Sequence, residues 1–350
     1  MWLTLVAGVG RRLDIKVAFF SALAFALLTF SCGSGKTPVP TQTTHASGAR
    51  TTGVPPPISI QISAASNQVV WGLVGDKLFR SVNAGQTWQQ RPLPSRQPGF
   101  DKSEITFVDE SHGWLFTPGG AATECQEQGG SVWRTSDAGA TWEFLSPGTV
   151  GPVWEAPGIA GAQCKDGLSF VDESHGFLSA WDPNSAPVIY RTSDGGSTWT
   201  ASAPLPDPPG QKTSGGGFAL RPERVQRVGD VALVGTVGWQ HTYIYRSTDG
   251  GATWAYAATV PNVTDSGRVS FLDATHWWVT VTTGGGIVTP DAGVTWQPAP
   301  AGLVGALAAT PTVVFAGSQF GYAVIGAEIR RTTDGGQHWT DVQTPGVVPG

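Results

Sequence analysis

An eight-residue string recurs six times in this chain, and no other feature limits its folding as strongly. It reads S/T-x-D/N-x-G-x-T/H-W. The acidic or amide position is Asn83, Asp137, Asp194, Asp249, Asp291 and Asp334, and the closing indole is Trp88, Trp142, Trp199, Trp254, Trp296 and Trp339. An Asp or Asn side chain accepts hydrogen bonds from nearby backbone N–H groups and so closes a turn. Gly two places later supplies a positive φ. The Thr-Trp pair then opens a returning strand whose indole fills space between layers. Each copy predicts a self-braced hairpin. Arg precedes five copies (Arg80, Arg134, Arg191, Arg246, Arg331), and Val288 takes its place in the fifth.

Successive copies lie 54, 57, 55, 42 and 43 residues apart, close to the roughly 40–50 residues of a four-stranded propeller blade. A second string, Phe107-Val-Asp109-Glu-Ser-His112-Gly113-Trp114, returns at Phe170–Phe177 and more weakly at Phe271–Trp278 and Phe315–Tyr322. Its apolar runs flank a polar turn, which predicts strand A, a tight turn and strand B. Strand C ends at the box and strand D begins at its Trp. The first unit fits 58–62, 69–74, 77–80 and 87–90. The expectation is an all-β propeller over residues 57–345, with six four-stranded blades and one box each. A seventh blade would need strands that the sequence does not show.

Alternating strands sort the loops by face. The A–B turns and the boxes share one face, and the longer B–C and D–A connections share the other. Cys125 and Cys164 fall in two such connections beside one blade, so a disulfide between them is expected. Trp154, Trp181 and Trp239 lie outside the box and strand-B slots on that side, with His241 nearby. Each either packs beneath its own loop or presents a stacking surface for a glycan or peptide. Arg221, Arg224 and Arg227 form the only arginine concentration, which either meets an acidic partner or is a solvated face.

The box pattern resembles the Asp-box, or bacterial neuraminidase repeat, superfamily. That resemblance implies a propeller and raises the sialidases, which hold a carboxylate with three Arg and use a Tyr–Glu pair with an Asp. The Arg-Ile-Pro string that usually carries the first Arg is missing, and each of the five Tyr has a repeat or strand slot. His112, His175 and His276 recur in A–B turns, which fits a structural role better than a metal site. Neither catalytic residues, metal nor cofactor are therefore expected. The repeats also resemble the photosystem II assembly and stability factors, which implies a binding scaffold. The expected function is a non-catalytic scaffold for a protein or glycan partner. The competing class is a carbohydrate-active hydrolase, marked by a carboxylate pair in a concave pocket.

The N-terminus predicts export. Arg11, Arg12 and Lys16 precede an apolar run over 17–31, too short for a typical span. Cys32 ends that run, which resembles a bacterial lipoprotein signal and implies lipidation. An ordinary cleaved signal and an uncleaved anchor are the alternatives. Residues 33–56, rich in Thr, Pro, Ser and Gly, read as a tether. A net charge of -5 without basic runs argues against nucleic acid. A membrane-tethered monomer outside the cytoplasm is the expectation.

Overall fold

A computed structural model describes residues 59–346, apart from 95–102, 119–129, 146–147, 151–152, 156–157, 160–162, 213–218, 239–240, 262–266, 282–285 and 301–310. The chain divides between Val54 and Pro55, and all described residues belong to the second unit. Cys32, Cys125 and Trp239 lie outside the described residues.

The described residues form six antiparallel blades and no helix. Blade 1 holds β1 (Ile60–Ala64), β2 (Val70–Val74), β3 (Lys77–Ser81) and β4 (Gln89–Arg91). Blade 2 holds β5 (Glu104–Phe107), β6 (Gly113–Pro118), β7 (Gly130–Thr135) and β8 (Glu143–Phe144). A hairpin of β9 (Gly148–Val150) and β10 (Val153–Glu155) follows. Blade 3 is β11 (Cys164–Phe170), β12 (Gly176–Asp182), β13 (Ser185–Thr192) and β14 (Thr200–Ala201). In blade 4 the inner strand is split into β15 (Arg221–Pro222) and β16 (Gln226–Val228), both paired with β17 (Val231–Val237). The blade continues through β18 (Thr242–Ser247) and β19 (Ala255–Thr259). Blades 5 and 6 are β20 (Arg268–Phe271), β21 (Trp277–Thr280), β22 (Gly286–Thr289), β23 (Gln297–Pro298), then β24 (Thr312–Phe315), β25 (Gly321–Ile325), β26 (Glu328–Thr332) and β27 (Thr340–Val342).

The expected hairpin chemistry is present in each box. Asp137 Oδ1 accepts from Thr141 N at 2.8 Å and from the Thr135 hydroxyl at 2.9 Å, while Gly139 N donates to that hydroxyl. Gly139 has φ +72°, and the residue before it is also left-handed. That preceding position is Ala at 84, 138 and 292 and Gly in the other boxes. In the last box His338 replaces Thr and holds Asp334 through N and Nδ1.

Blades join through apolar layers. Trp71 stacks on Phe107 and Trp114 on Phe170, with centroids 3.8 and 3.7 Å apart. Ile62 and Val70 of blade 1 pack with Tyr322, Val324 and Ile329 of blade 6, and Trp88 Nε1 donates to Gln343 O at 2.9 Å. These contacts close the ring at six blades. The innermost strands also stitch to one another through side chains. Ser63 Oγ accepts from Phe107 N, Gln226 Oε1 accepts from Phe271 N, and Ser270 Oγ donates to Val313 O. Each neighbour thus satisfies the free edge that a sheet would otherwise expose.

Candidate active site

The inner strands run up to the face of the D–A and B–C loops, and their first residues ring one end of the channel. Most of those residues are ionisable. Glu104 begins β5, Asp166 is third in β11, Arg221 begins β15 with Glu223 and Arg224 just after, and Arg268 begins β20. The corresponding residues of blades 1 and 6, Gln61 and Thr312, are neutral.

Two neighbouring inner strands are bulged at this level. In β11 the pairing with β12 slips by one residue between Asp166 and Ser169. In blade 4 the segment between β15 and β16 does the same against β17. A bulge turns a side chain out of the ladder and frees backbone groups. Those groups are satisfied locally. Glu104 accepts from Gly167 N at 2.9 Å and Leu168 N at 3.0 Å, and Ser179 Oγ donates to Glu223 O at 2.6 Å. Gly167 has φ +72°, and a Cβ there would lie 2.8 Å from the backbone of Glu223 and Arg224. Only glycine permits so close an approach of the two bulges.

The charges then sort into pairs. Arg268 Nη1 lies 2.9 Å from Glu223 Oε1. Arg224 donates to Ile105 O at 3.1 Å and sits 3.7 Å from Glu104 Oε2, so it reaches from blade 4 to blade 2 past β11. Asp166 and Arg221 remain. Asp166 accepts no hydrogen bond among the described residues. Its side chain is accessible to water yet ringed by protein, as expected for a group lining a channel. That enclosure, with the charges of Glu104 and Glu223, pushes its carboxyl up to about 7, against the opposing pull of Arg268 and Arg221. Burial likewise raises Glu223, and Arg268 opposes it. Two carboxyl groups in one site with unequal partners are a standard route to an acid and a base.

The residues expected to form a binding face are divided. Trp181, next to last in β12, lies opposite Cys164 on β11 and is half-buried with the Arg221 guanidinium 4.3 Å from its ring centroid. It is thus neither packed away nor free. Trp154 lies on β10. His241 precedes β18, half-buried and edge-on to Tyr243. Cys164 is buried and disulfide-bonded. Of the three arginines, Arg227 leaves the group to meet Asp230 at 4.0 Å on the other face. A cleft of about 760 Å³ there is lined by His175, Arg191, Arg227 and Asp230. It has one carboxylate and lacks the paired acids of the channel mouth. Asp109, His112 and Glu173 bring ligand atoms within 4.8 Å of one another, but His112 Nδ1 is held 2.8 Å from Asp109 in a turn repeated at Asp172–His175 and Asp273–His276. The box Asp and Trp residues serve the hairpins.

No family model matches the chain. A xyloglucanase from Paenibacillus sp is 31% identical over 160 residues, covering 41% of this chain and 14% of that protein. Xyloglucanase Xgh74A from Acetivibrio thermocellus is 24% identical over 246 residues, 51% of this chain and 28% of its own. The chain therefore spans less than a third of either relative. Among solved structures, YCF48 from Cyanidioschyzon merolae superposes with a TM-score of 0.51 at 16% identity, covering 83% of this chain and 87% of that one. The α-L-arabinofuranosidase Arb93A from Fusarium graminearum gives 0.52 at 14%, with 81% and 91% covered. The Hadza microbial sialidase Hz136 gives 0.50 at 13%, with 81% and 67% covered. These structures share the fold.

The expectation of a non-catalytic scaffold is corrected here, because the curated relatives carry the names of polysaccharide hydrolases. Glu104, Asp166 and Glu223 match no sialidase string and stand singly, about one blade apart, outside any motif. Their signal was an ionisable residue at the start of successive inner strands. The described residues form a six-bladed β-propeller with one Asp-box hairpin in each blade.

Proposed function

We propose that this propeller is a carbohydrate-active hydrolase that cleaves a glycosidic bond at the channel mouth, with Asp166 as general acid. The observation that carries the reading is the pair of facing bulges, which present Asp166 to the channel beside Glu223. The enzyme names of the curated relatives support the class, and xyloglucan is the first substrate to test.

Asp166, held protonated near neutrality, donates its proton to the leaving glycosidic oxygen. Glu223, paired with Arg268, is the partner carboxylate that activates water or stabilises the developing positive charge on the sugar. Glu104 positions Asp166 by fixing the bulge N–H groups. The test is release of reducing ends from a polysaccharide panel by wild type and Asp166→Asn. Activity in the wild type that falls by a factor of about 10²–10⁴ in the variant supports the assignment. Equal rates would remove it.

We also place the domain outside the cytoplasm, tethered through a lipidated Cys32, with Cys125 as the disulfide partner of Cys164. Mass analysis of the mature N-terminal peptide and a non-reducing peptide map test both points.

A further inference from the structure

Resting on that hydrolase reading, we propose that Arg221, seated on Trp181 beside Asp166, recognises an anionic substituent of the polysaccharide, the carboxylate of a uronic acid residue. Two of the three arginines at the channel mouth already face carboxylates, Arg268 with Glu223 and Arg224 with Glu104. Arg221 is exposed and has no carboxylate within ion-pair distance among the described residues. Its guanidinium is nonetheless placed, 4.3 Å from the centroid of the Trp181 ring. A guanidinium held flat on an indole loses less freedom when its N–H fork meets a carboxylate.

The location fits a substrate contact. Trp181 sits opposite Cys164 and Asp166 opposite Ser179 in the same strand pair, so the indole is two positions from the proposed acid. With Asp166 protonated, the cluster of Glu104, Glu223, Arg221, Arg224 and Arg268 carries one uncompensated positive charge, and Arg221 is its source. A substrate carboxylate on Arg221 would also weaken the pull of that arginine on Asp166. The anionic substrate would thereby help to keep the acid protonated.

Binding is measured by calorimetry in the Asp166→Asn background, where the ligand is not turned over. The probes are a glucuronate-bearing xylo-oligosaccharide and the same oligosaccharide with its carboxyl reduced to an alcohol. The acidic form is expected to bind about tenfold more tightly, as one charge-assisted fork predicts, with the difference shrinking at high salt. Arg221→Gln is expected to abolish the preference, Arg221→Lys to keep part of it, and Trp181→Ala to reduce it. Equal affinity for the two probes, or a preference that survives Arg221→Gln, overturns the proposal. If that happens while Asp166-dependent xyloglucan hydrolysis persists, the anion site alone fails. A preference without hydrolysis of any polysaccharide would instead leave the anion site and remove the hydrolase.

Discussion

A carboxyl group forced toward neutrality destabilises the fold wherever it must ionise, so Asp166→Asn is expected to stabilise this protein while removing its acid. Asp166 is raised from 3.8 to about 7 in the folded chain, whereas in the unfolded chain it titrates near the ordinary value of about 3.9. Below that lower value both states are protonated, and the group contributes nothing. Between the two values the folded state binds the extra proton, so stability falls as pH rises. Above about 7 the penalty is complete. Fully desolvated, the shift would cost ~4 kcal/mol. The carboxyl is open to channel water, and screening lowers the shift and the penalty together, so ~4 kcal/mol is an upper bound. Denaturant unfolding of wild type and Asp166→Asn at pH 4, 6 and 8 reads it directly. The variant should match wild type at pH 4 and gain stability by pH 8, by about 1 to 4 kcal/mol according to how far water screens the shift. A gap independent of pH, or a variant less stable at pH 8, would refute the electrostatic picture of the site.

Gly167→Ala forces a side chain into a left-handed backbone and against the Glu223 carbonyl, 2.8 Å from the added carbon. Destabilisation of about 2–4 kcal/mol is expected from the two effects, checked by the same unfolding assay. The hairpin boxes make a separate acid limb. The Thr141 hydroxyl and N–H hold Asp137 at about 2, and His338 does the same for Asp334. Both lie below the unfolded value, so their stabilisation is present above pH ~4 and lost as pH falls toward 2. Thermal melts from pH 6 to 2 should therefore show a steep loss only below about pH 4.

The fold was legible because its information is local and repeated. Every box carries the Asx acceptor, the left-handed Gly and the Trp within eight residues, and the first blade lies close to where its apolar runs put it. Ala84, Ala138 and Ala292 show the limit of that reading, since their left-handed backbone follows from the box geometry rather than from their own preference. The site was not legible for the opposite reason. Glu104, Asp166 and Glu223 meet only after three blades close side by side, and the bulges that bring two of them together depend on strand pairing. Loop sorting put Trp181 on the side of the long connections, and nothing in the sequence showed that Arg221 lies over its ring.

The account rests on Asp166 acting as an acid beside Glu223, and the pH dependence of kcat/KM on soluble polysaccharide tests it most directly. The predicted profile is a bell whose alkaline limb falls near pH 7, as Asp166 ionises. That limb should move upward in Arg221→Gln and disappear with the activity in Asp166→Asn. An active wild type with no alkaline limb below about pH 9, or one whose limb survives Asp166→Asn, would contradict it.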